Sequence, residues 1–154
     1  FALSQADEFK DLNIQRDYDP SIPEIYGDED LFIQAILNIF KNAQQALVLT
    51  EKPEIIIKSR VAYSQPINGS IHPTLCEVSI IDNGPGIPQD IQEQIFFPMV
   101  SSKESGSGIG LSISQDIIRI HGGAISFKSE SSGTTFSVLI PISIESTNEE
   151  VKSA

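Results

Sequence analysis

The strongest pattern in the chain runs from Asp28 to Leu47. Asp28 is a good helix N-cap, and the carboxylates of Glu29 and Asp30 complement the positive end of the helix dipole. Leu31, Phe32, Ala35, Ile36, Ile39, Phe40, Ala43, Ala46 and Leu47 then recur at helical spacing, which predicts an amphipathic helix with a wide apolar stripe ending before Pro53. A stripe that wide has to be covered by other apolar elements. The β-branched segments Glu54 to Ser64 and Cys76 to Asp82 read as strands, joined by a hairpin or an extended loop through Pro66, Asn68-Gly69 and Pro73. Asn13 to Tyr18 suits a short edge strand, broken by Asp19-Pro20-Ser21-Ile22-Pro23. A short helix is expected around Gln89 to Ile95, then a Gly/Ser-rich loop from Ser101 to Gly108. A second amphipathic helix runs from Ile109 to Ile120, with Leu111, Ile113, Ile117, Ile118 and Ile120 as its apolar set and His121-Gly122-Gly123 as its stop. Ala124 to Ser129 and Thr134 to Ile142 form a closing hairpin around Ser131-Ser132-Gly133. This order predicts an α+β two-layer sandwich, a mixed, mostly antiparallel sheet with helices on one face.

Composition narrows the function. The 154 residues suit one domain, and 10 Lys+Arg against 21 Asp+Glu give a formal charge of -11. That balance argues against nucleic-acid partners, which need a basic surface to displace counterions, and against attachment to anionic membranes. The longest apolar runs, such as Ile55-Ile56-Ile57, are too short to span a bilayer. The lone Cys76 leaves no internal disulfide or Cys-based zinc site and fits a reducing, cytoplasmic compartment. The start at Phe1 looks like an excised piece rather than a targeting sequence. Residues 1–12 are expected to be a lead-in from an upstream domain, 13–142 the folded domain, and 143–154 a disordered polar tail.

Three short motifs can carry chemistry. Asn38 and Asn42 lie four apart on one helix face, where two amides could hold a hydrated cation and phosphate oxygens; two half-exposed surface amides would look the same. Asp82-Asn83-Gly84-Pro85-Gly86 follows the apolar strand Val78 to Ile81, so Asp82 would be partly buried and in need of partners, although an Asn-Gly turn joining two elements also fits. Gly106-Ser107-Gly108-Ile109-Gly110-Leu111 opens a helix, where backbone amides attract phosphate. It lacks the Gly-Lys-Ser/Thr of a Walker A loop and the last glycine of a dinucleotide fingerprint, and a flexible linker explains it nearly as well.

Taken in order, Asn-x-x-x-Asn, Asp-x-Gly-x-Gly, Phe96-Phe97-Pro98, Gly-x-Gly-x-Gly-Leu and Gly133-Thr134-Thr135-Phe136 closely resemble the ATP-binding domain of sensor histidine kinases. That domain belongs to the group, often called GHKL or Bergerat-fold, shared with type II topoisomerases, Hsp90 chaperones and mismatch-repair ATPases. The resemblance covers about Asp28 to Pro141. Arg16-Asp17-Tyr18-Asp19-Pro20-Ser21, the insertion around Asn68, and Phe97 to Ser101 look most like nitrogen-regulation kinases of the NtrB type. The resemblance implies ATP and Mg²⁺ as cofactors. By it, Asp82 accepts a hydrogen bond from the adenine amino group, with Thr134 supporting it through water, and Gly84 and Gly86 shape the base pocket. Asn38 coordinates Mg²⁺, and Asn42 contacts the phosphates or the metal shell. Gly106, Gly108 and Gly110 line the triphosphate, Leu111 counts among the nucleotide-binding positions, and Phe96 to Ser107 form a mobile lid anchored by Phe96.

The chain departs from the family pattern at Gln45, where many members carry a basic residue. Lys103, in Ser101-Ser102-Lys103, is expected to supply the missing γ-phosphate contact as a catalytic residue; a solvated lid lysine is the alternative. Hydrolysing relatives place Glu where Asn38 stands, and an amide cannot act as the base for water, so ATP hydrolysis should be slow. The γ-phosphoryl group is then expected to pass to a histidine on an absent upstream dimerisation domain. His72 lies in a Pro-rich loop and His121 at a helix end, so neither is expected to be that acceptor; His121 reads as a dipole partner. The implied partners of the parent homodimer are an NtrC-like response regulator and a PII-type regulator, with the fragment itself monomeric. Alternative functions are a stand-alone Ser/Thr kinase of the same group or a non-catalytic nucleotide sensor. Between Asp82 and Gly110 the only basic side chain is Lys103, so the triphosphate would be neutralised mainly by Mg²⁺, backbone amides and a helix end.

Overall fold

The computed structural model describes residues 9–98 and 110–142. The elements follow in the order β1 (Asn13–Tyr18), α1 (Glu29–Ala46), β2 (Glu54–Ile67), β3 (Ser70–Asp82), a 3₁₀ helix (Gln89–Gln94), α2 (Gly110–Ile120), β4 (Ala124–Glu130) and β5 (Gly133–Pro141). The strands form one sheet in the order β1-β2-β3-β5-β4. β1 runs parallel to β2 and every other neighbouring pair is antiparallel. This is the mixed, mostly antiparallel α+β sheet that the sequence predicts.

One face of the sheet carries the core. Along β5 the residues alternate strictly between buried and half-buried, with Thr134, Phe136, Val138 and Ile140 pointing inward. Against them and against Ile55 and Ile80 pack Ala35, Ile39 and Ala43 of α1 with Ile117 and Ile118 of α2. Ser114, fully buried on α2, donates from Oγ to the Ala35 carbonyl at 2.8 Å and joins the two helices. The Asp28 carboxylate accepts the Leu31 N–H at 3.1 Å, so α1 is capped as its sequence implies.

Several boundaries differ from expectation. α1 ends at Ala46, well before Pro53, because the backbone tightens into successive turns, Leu47 N–H to Gln44 at 3.0 Å and Thr50 N–H to Leu47 at 2.9 Å. The connection between β2 and β3 is a true hairpin whose strands run past both prolines. Asn68 (φ 50°) and Gly69 (φ 82°) make a tight two-residue turn whose twist matches that of the strands. Residues 60–67 pair with the following strand after β1 has ended at Tyr18, and 70–74 lie before β5 begins to pair at Leu75. In this two-stranded arm each strand has an open edge, where a proline can sit without breaking a ladder between three strands. The expected short helix at Gln89 is 3₁₀ rather than α. The expected lead-in before Phe9, the loop from Ser101 to Gly108 and the tail from Ser143 lie outside the described residues. Ile39, at the centre of the interface between helix and sheet, should be irreplaceable: Ile39→Ala should cost about 2–5 kcal/mol in urea denaturation, whereas Ile33→Ala, half exposed on the same helix, should change stability by only about 0.5 kcal/mol.

Candidate functional site

The strand ends nearest the C-terminus of α1 hold a buried carboxylate. Asp82 closes β3 between Ile55 of β2 and Thr134 of β5 and is 4% exposed. A carboxylate in that position is costly unless donors meet it. Its Oδ1 accepts the Gly84 N–H at 2.9 Å and the Thr134 N–H at 3.3 Å. The adjacent Asn83 has a different task, one that sequence reasoning missed. Its Oδ1 accepts the Glu54 N–H at 2.8 Å and its Nδ2 donates to the Lys52 carbonyl at 3.0 Å, clamping the turn to the start of β2.

The glycines of this turn answer to contacts. A Cβ on Gly84 would lie 3.0 Å from Asp82 Oδ1 and 3.1 Å from the Ala46 carbonyl oxygen, so the turn packs directly on the end of α1. Gly86 has a φ of +84°, and a Cβ there would run into the Glu130 carbonyl. Ser129, also unforeseen, ties the same turn down from β4. Its Oγ accepts the Ile87 N–H at 2.7 Å and lies 3.0 Å from Thr134 Oγ1. Asp82, Gly84, Gly86 and Thr134 therefore stand together at one place, linked by a short network.

Asn38 and Asn42 share the α1 face that continues to Ala46, one turn further on. Both are half-buried. At the other end of this face, a Cβ on Gly110 would sit 3.7 Å from the Cβ of Asn38, which puts the start of α2 against that amide. From Asn38 to Ala46 the helix rises roughly 12 Å. A strip of α1 thus runs from the opening of α2 to the Asp82 turn. Leu111, one residue into α2, packs against the core. Phe96 does so too, meeting Phe127 and Phe136 edge-on at ring separations of 6.1 and 6.4 Å. Lys103, Gly106, Gly108 and the expected lid beyond Pro98 lie outside the described residues.

Two other groups are accounted for structurally. His121 Nε2 accepts the Asp28 N–H at 3.1 Å, which leaves Nδ1 as the protonated nitrogen donating to the Ile117 carbonyl at 2.8 Å. The ring therefore bridges the C-terminus of α2 to the N-terminus of α1, at the helix end where the sequence places it. Cys76 is buried, and desolvation pushes its thiol upward, away from nucleophilic use. Among the described residues no group of three His, Cys, Asp or Glu side chains could hold a metal ion.

This arrangement has relatives. The family described as histidine kinase-, DNA gyrase B-, and HSP90-like ATPase matches residues 27–144. The chain belongs to that family. It is 44% identical over 140 residues to the sensory histidine kinase/phosphatase NtrB of Vibrio alginolyticus, covering 91% of this chain and 40% of that protein. It is equally 44% identical over 131 residues to NtrB of Escherichia coli O157:H7, covering 85% and 37%. The chain thus spans about two fifths of the length of the curated relatives it matches. Among solved structures it aligns with the nucleotide-free catalytic domain of the histidine kinase ThkA at a TM-score of 0.72 and 29% identity, over 92% of this chain and 86% of that one. Full-length ShkA in complex with AMPPNP aligns at 0.68 and 25%, over 92% and 28%. The sequence is thus that of a histidine-kinase ATP-binding domain similar to NtrB.

Because Asn83 anchors the turn through two hydrogen bonds to the start of β2, Asn83→Ala should lower stability by about 1–2 kcal/mol. Chemical denaturation checks this, with Asn13→Ala at the exposed edge strand as a near-neutral control.

Proposed function

We propose that this chain binds Mg·ATP along the α1 strip and, in the longer protein, directs the γ-phosphoryl group to a histidine on a helical domain N-terminal to it, in nitrogen-regulation signalling. The observation that carries this reading is the joining of Asp82, Gly84, Gly86 and Thr134 at one end of that strip and of Asn38 and Gly110 at the other. The base would lie at the Asp82 end, where the carboxylate accepts from an exocyclic amino group and Thr134 supports it. The triphosphate would then extend past Asn42 toward Asn38 and the opening of α2, whose backbone amides favour anions.

Mg²⁺ fits the donor set here. Magnesium keeps several waters and is held by few protein oxygens together with substrate phosphates, so the single amide oxygen of Asn38 is a suitable protein ligand, with no group of three His, Cys, Asp or Glu side chains fit for a metal among the described residues. When bound, the ion neutralises phosphate charge that the protein's own cations do not. Asn38 cannot take a proton from water at neutral pH, so the site favours transfer over hydrolysis. Phosphoryl transfer depends mainly on alignment and charge stabilisation; Lys103 would add a γ-phosphate contact from a lid over Phe96 to Ser107, and Gly106 and Gly108 would line the triphosphate.

The proposed division is a lead-in over 1–12, the ATP-binding domain over 13–142 and a tail over 143–154, in a longer protein of the relatives' kind, of whose length this chain spans about two fifths. The acceptor would lie upstream; His72 is in the hairpin arm and both ring nitrogens of His121 are engaged. The proposed partners are a response regulator of the NtrC kind and a PII-type regulator, acting on a parent homodimer in the cytoplasm. No described helix is long and apolar enough to cross a membrane.

Calorimetric titration tests the reading. The chain should bind ATP only with Mg²⁺ present, and Asp82→Asn should weaken binding by about 10- to 150-fold, the loss of one charge-assisted hydrogen bond. Binding that persists in EDTA, or an Asp82→Asn variant with wild-type affinity, would contradict it. The chain alone should acquire no acid-labile phosphate from labelled ATP, and in the longer protein Lys103→Ala should slow autophosphorylation.

A further inference from the structure

The side chain of Glu54 has no role in the reading above, yet two segments are tied together at this residue. Its carboxylate oxygen Oε2 accepts from Asn13 Nδ2 at 3.0 Å and from Gln15 Nε2 at 2.9 Å, so one atom gathers two amides of β1. The Asn13 N–H adds a bond to the neighbouring Pro53 carbonyl at 2.9 Å. On the other side, the Glu54 backbone is bonded twice to Asn83. Its N–H donates to Asn83 Oδ1 at 2.8 Å, and its carbonyl accepts the Asn83 N–H at 3.3 Å. Asn83 Nδ2 also donates to the Lys52 carbonyl at 3.0 Å.

Chemistry fixes the direction of each bond. A backbone N–H only donates and a carbonyl only accepts, which sets the Asn83 amide one way round; the β1 amides donate through nitrogen to a carboxylate oxygen. Residues 52–54 are therefore a bearing between β1 and the turn that follows Asp82. Two features make that bearing responsive. Lys52 has a φ of +51°, a left-handed conformation that a non-glycine residue keeps only where its surroundings impose it. Every residue of β1 is exposed, so the strand has little apolar burial to hold it and opens at low cost. When β1 leaves, Glu54 loses both side-chain donors, Pro53 loses its amide, and the backbone that Asn83 grips loses its outer support. Asn83 stands between Asp82 and Gly84, whose N–H has to reach Asp82 Oδ1.

We propose that Glu54 is a positioning residue for the nucleotide: by holding β1 to the backbone that Asn83 grips, it couples the seating of β1 to the base site. This rests on the placement of the base at Asp82. Glu54 acts through Asn83 and touches no ligand itself. The coupling is reciprocal, so a nucleotide that favours the closed turn also favours the seated strand. In the longer protein, a change in the course of the residues that precede Asn13 would then be felt at the base site.

The test titrates Mg·ATP by calorimetry into folded wild type, Glu54→Ala, Glu54→Gln, Asn83→Ala, Glu54→Ala/Asn83→Ala and Asp82→Asn. Glu54→Ala removes the shared acceptor and should weaken binding about 3- to 10-fold. Glu54→Gln keeps one oxygen able to accept both amides and should stay within about 2-fold of wild type. A Glu54→Gln loss as large as that of Glu54→Ala overturns the acceptor role. Because Glu54 acts through Asn83, the double variant should bind within about 2-fold of Asn83→Ala, and additive losses overturn the proposal. Saturating Mg·ATP should slow hydrogen exchange at the Asn13 amide several-fold in wild type and not in Asn83→Ala. A merely structural role would lower the urea midpoint of Glu54→Ala while leaving the folded chain's affinity and the Asn13 exchange unmoved, which overturns the proposal. Should Glu54→Ala fold poorly, Asn13→Ala/Gln15→Ala, which withdraws both donors from the exposed strand, must weaken binding in the same range; wild-type affinity there overturns it equally. Weakened Asp82→Asn beside Glu54→Ala at wild-type affinity defeats the role of Glu54 alone. An Asp82→Asn variant that binds as wild type defeats the placement of the base and this inference with it.

Discussion

A carboxylate buried at the end of the central strand is tolerable only where donors are brought to it, and much of the surrounding structure serves that need. Asp82 is met by the amides of Gly84 and Thr134, which come from the turn that follows it and from the neighbouring strand. For the first amide to arrive, the chain must fold back over the carboxylate, which Asn83 enforces from the β2 side and Ser129 from the β4 side. For the second, β5 must start at its present register, and Gly133 permits this because a Cβ there would strike the Asp82 backbone carbonyl. The turn in turn lies on the Ala46 carbonyl at the end of α1. One polar group thus ties together the register of β3 with β5, the path of the turn and its packing on the end of the first helix.

The apolar side of the domain holds this arrangement at a fixed distance from a second one. Ala35, Ile39 and Ala43 seat α1 on the sheet, and the Ser114 bond to Ala35 seats α2 on α1. Because Asn38 and Asn42 alternate with these anchors along the helix, their positions relative to Asp82 follow from the packing. His121 adds a second tie between the helices, from the last turn of α2 to the capping residue of α1. An acidic protein with a formal charge of -11 is an unpromising host for a triphosphate by composition alone. The proposed solution relies on amides, a helix opening and a hydrated cation, none of which appears in a count of charged side chains.

How much of this is legible in the sequence depends on what each feature requires. The α1 stripe and the strands that end at Asp82 and begin near Thr134 are legible, because burial of one face dictates residue type along a helix and apolar, β-branched runs mark the strands. The end of α1 does not: Pro53 is an obvious stop, but the turns at Leu47 and Thr50 halt the helix earlier through backbone geometry that any residue can adopt. The long hairpin arm was hidden by Pro66 and Pro73, which argue against strand unless the open edges on either side are known. Asn83 passes for an ordinary turn residue beside Gly84. Ser129 could have been found from register: once the turn at Ser131-Ser132-Gly133 is set, Ser129 faces Thr134. Its bond to Ile87 is a contact between distant segments that no local pattern encodes.

The central claim is that nucleotide lies along α1 between the Asp82 turn and the start of α2, on the helix side of the sheet. Amide chemical-shift mapping of the labelled chain during titration with a non-hydrolysable ATP analogue and Mg²⁺ tests it most directly. The account predicts that the largest shifts fall on Asn42, Gly84, Gly86 and Thr134, with Ser79, Ser126 and Ser137 on the opposite face unmoved. Shifts centred on those three serines, with the Asp82 turn silent, would contradict it.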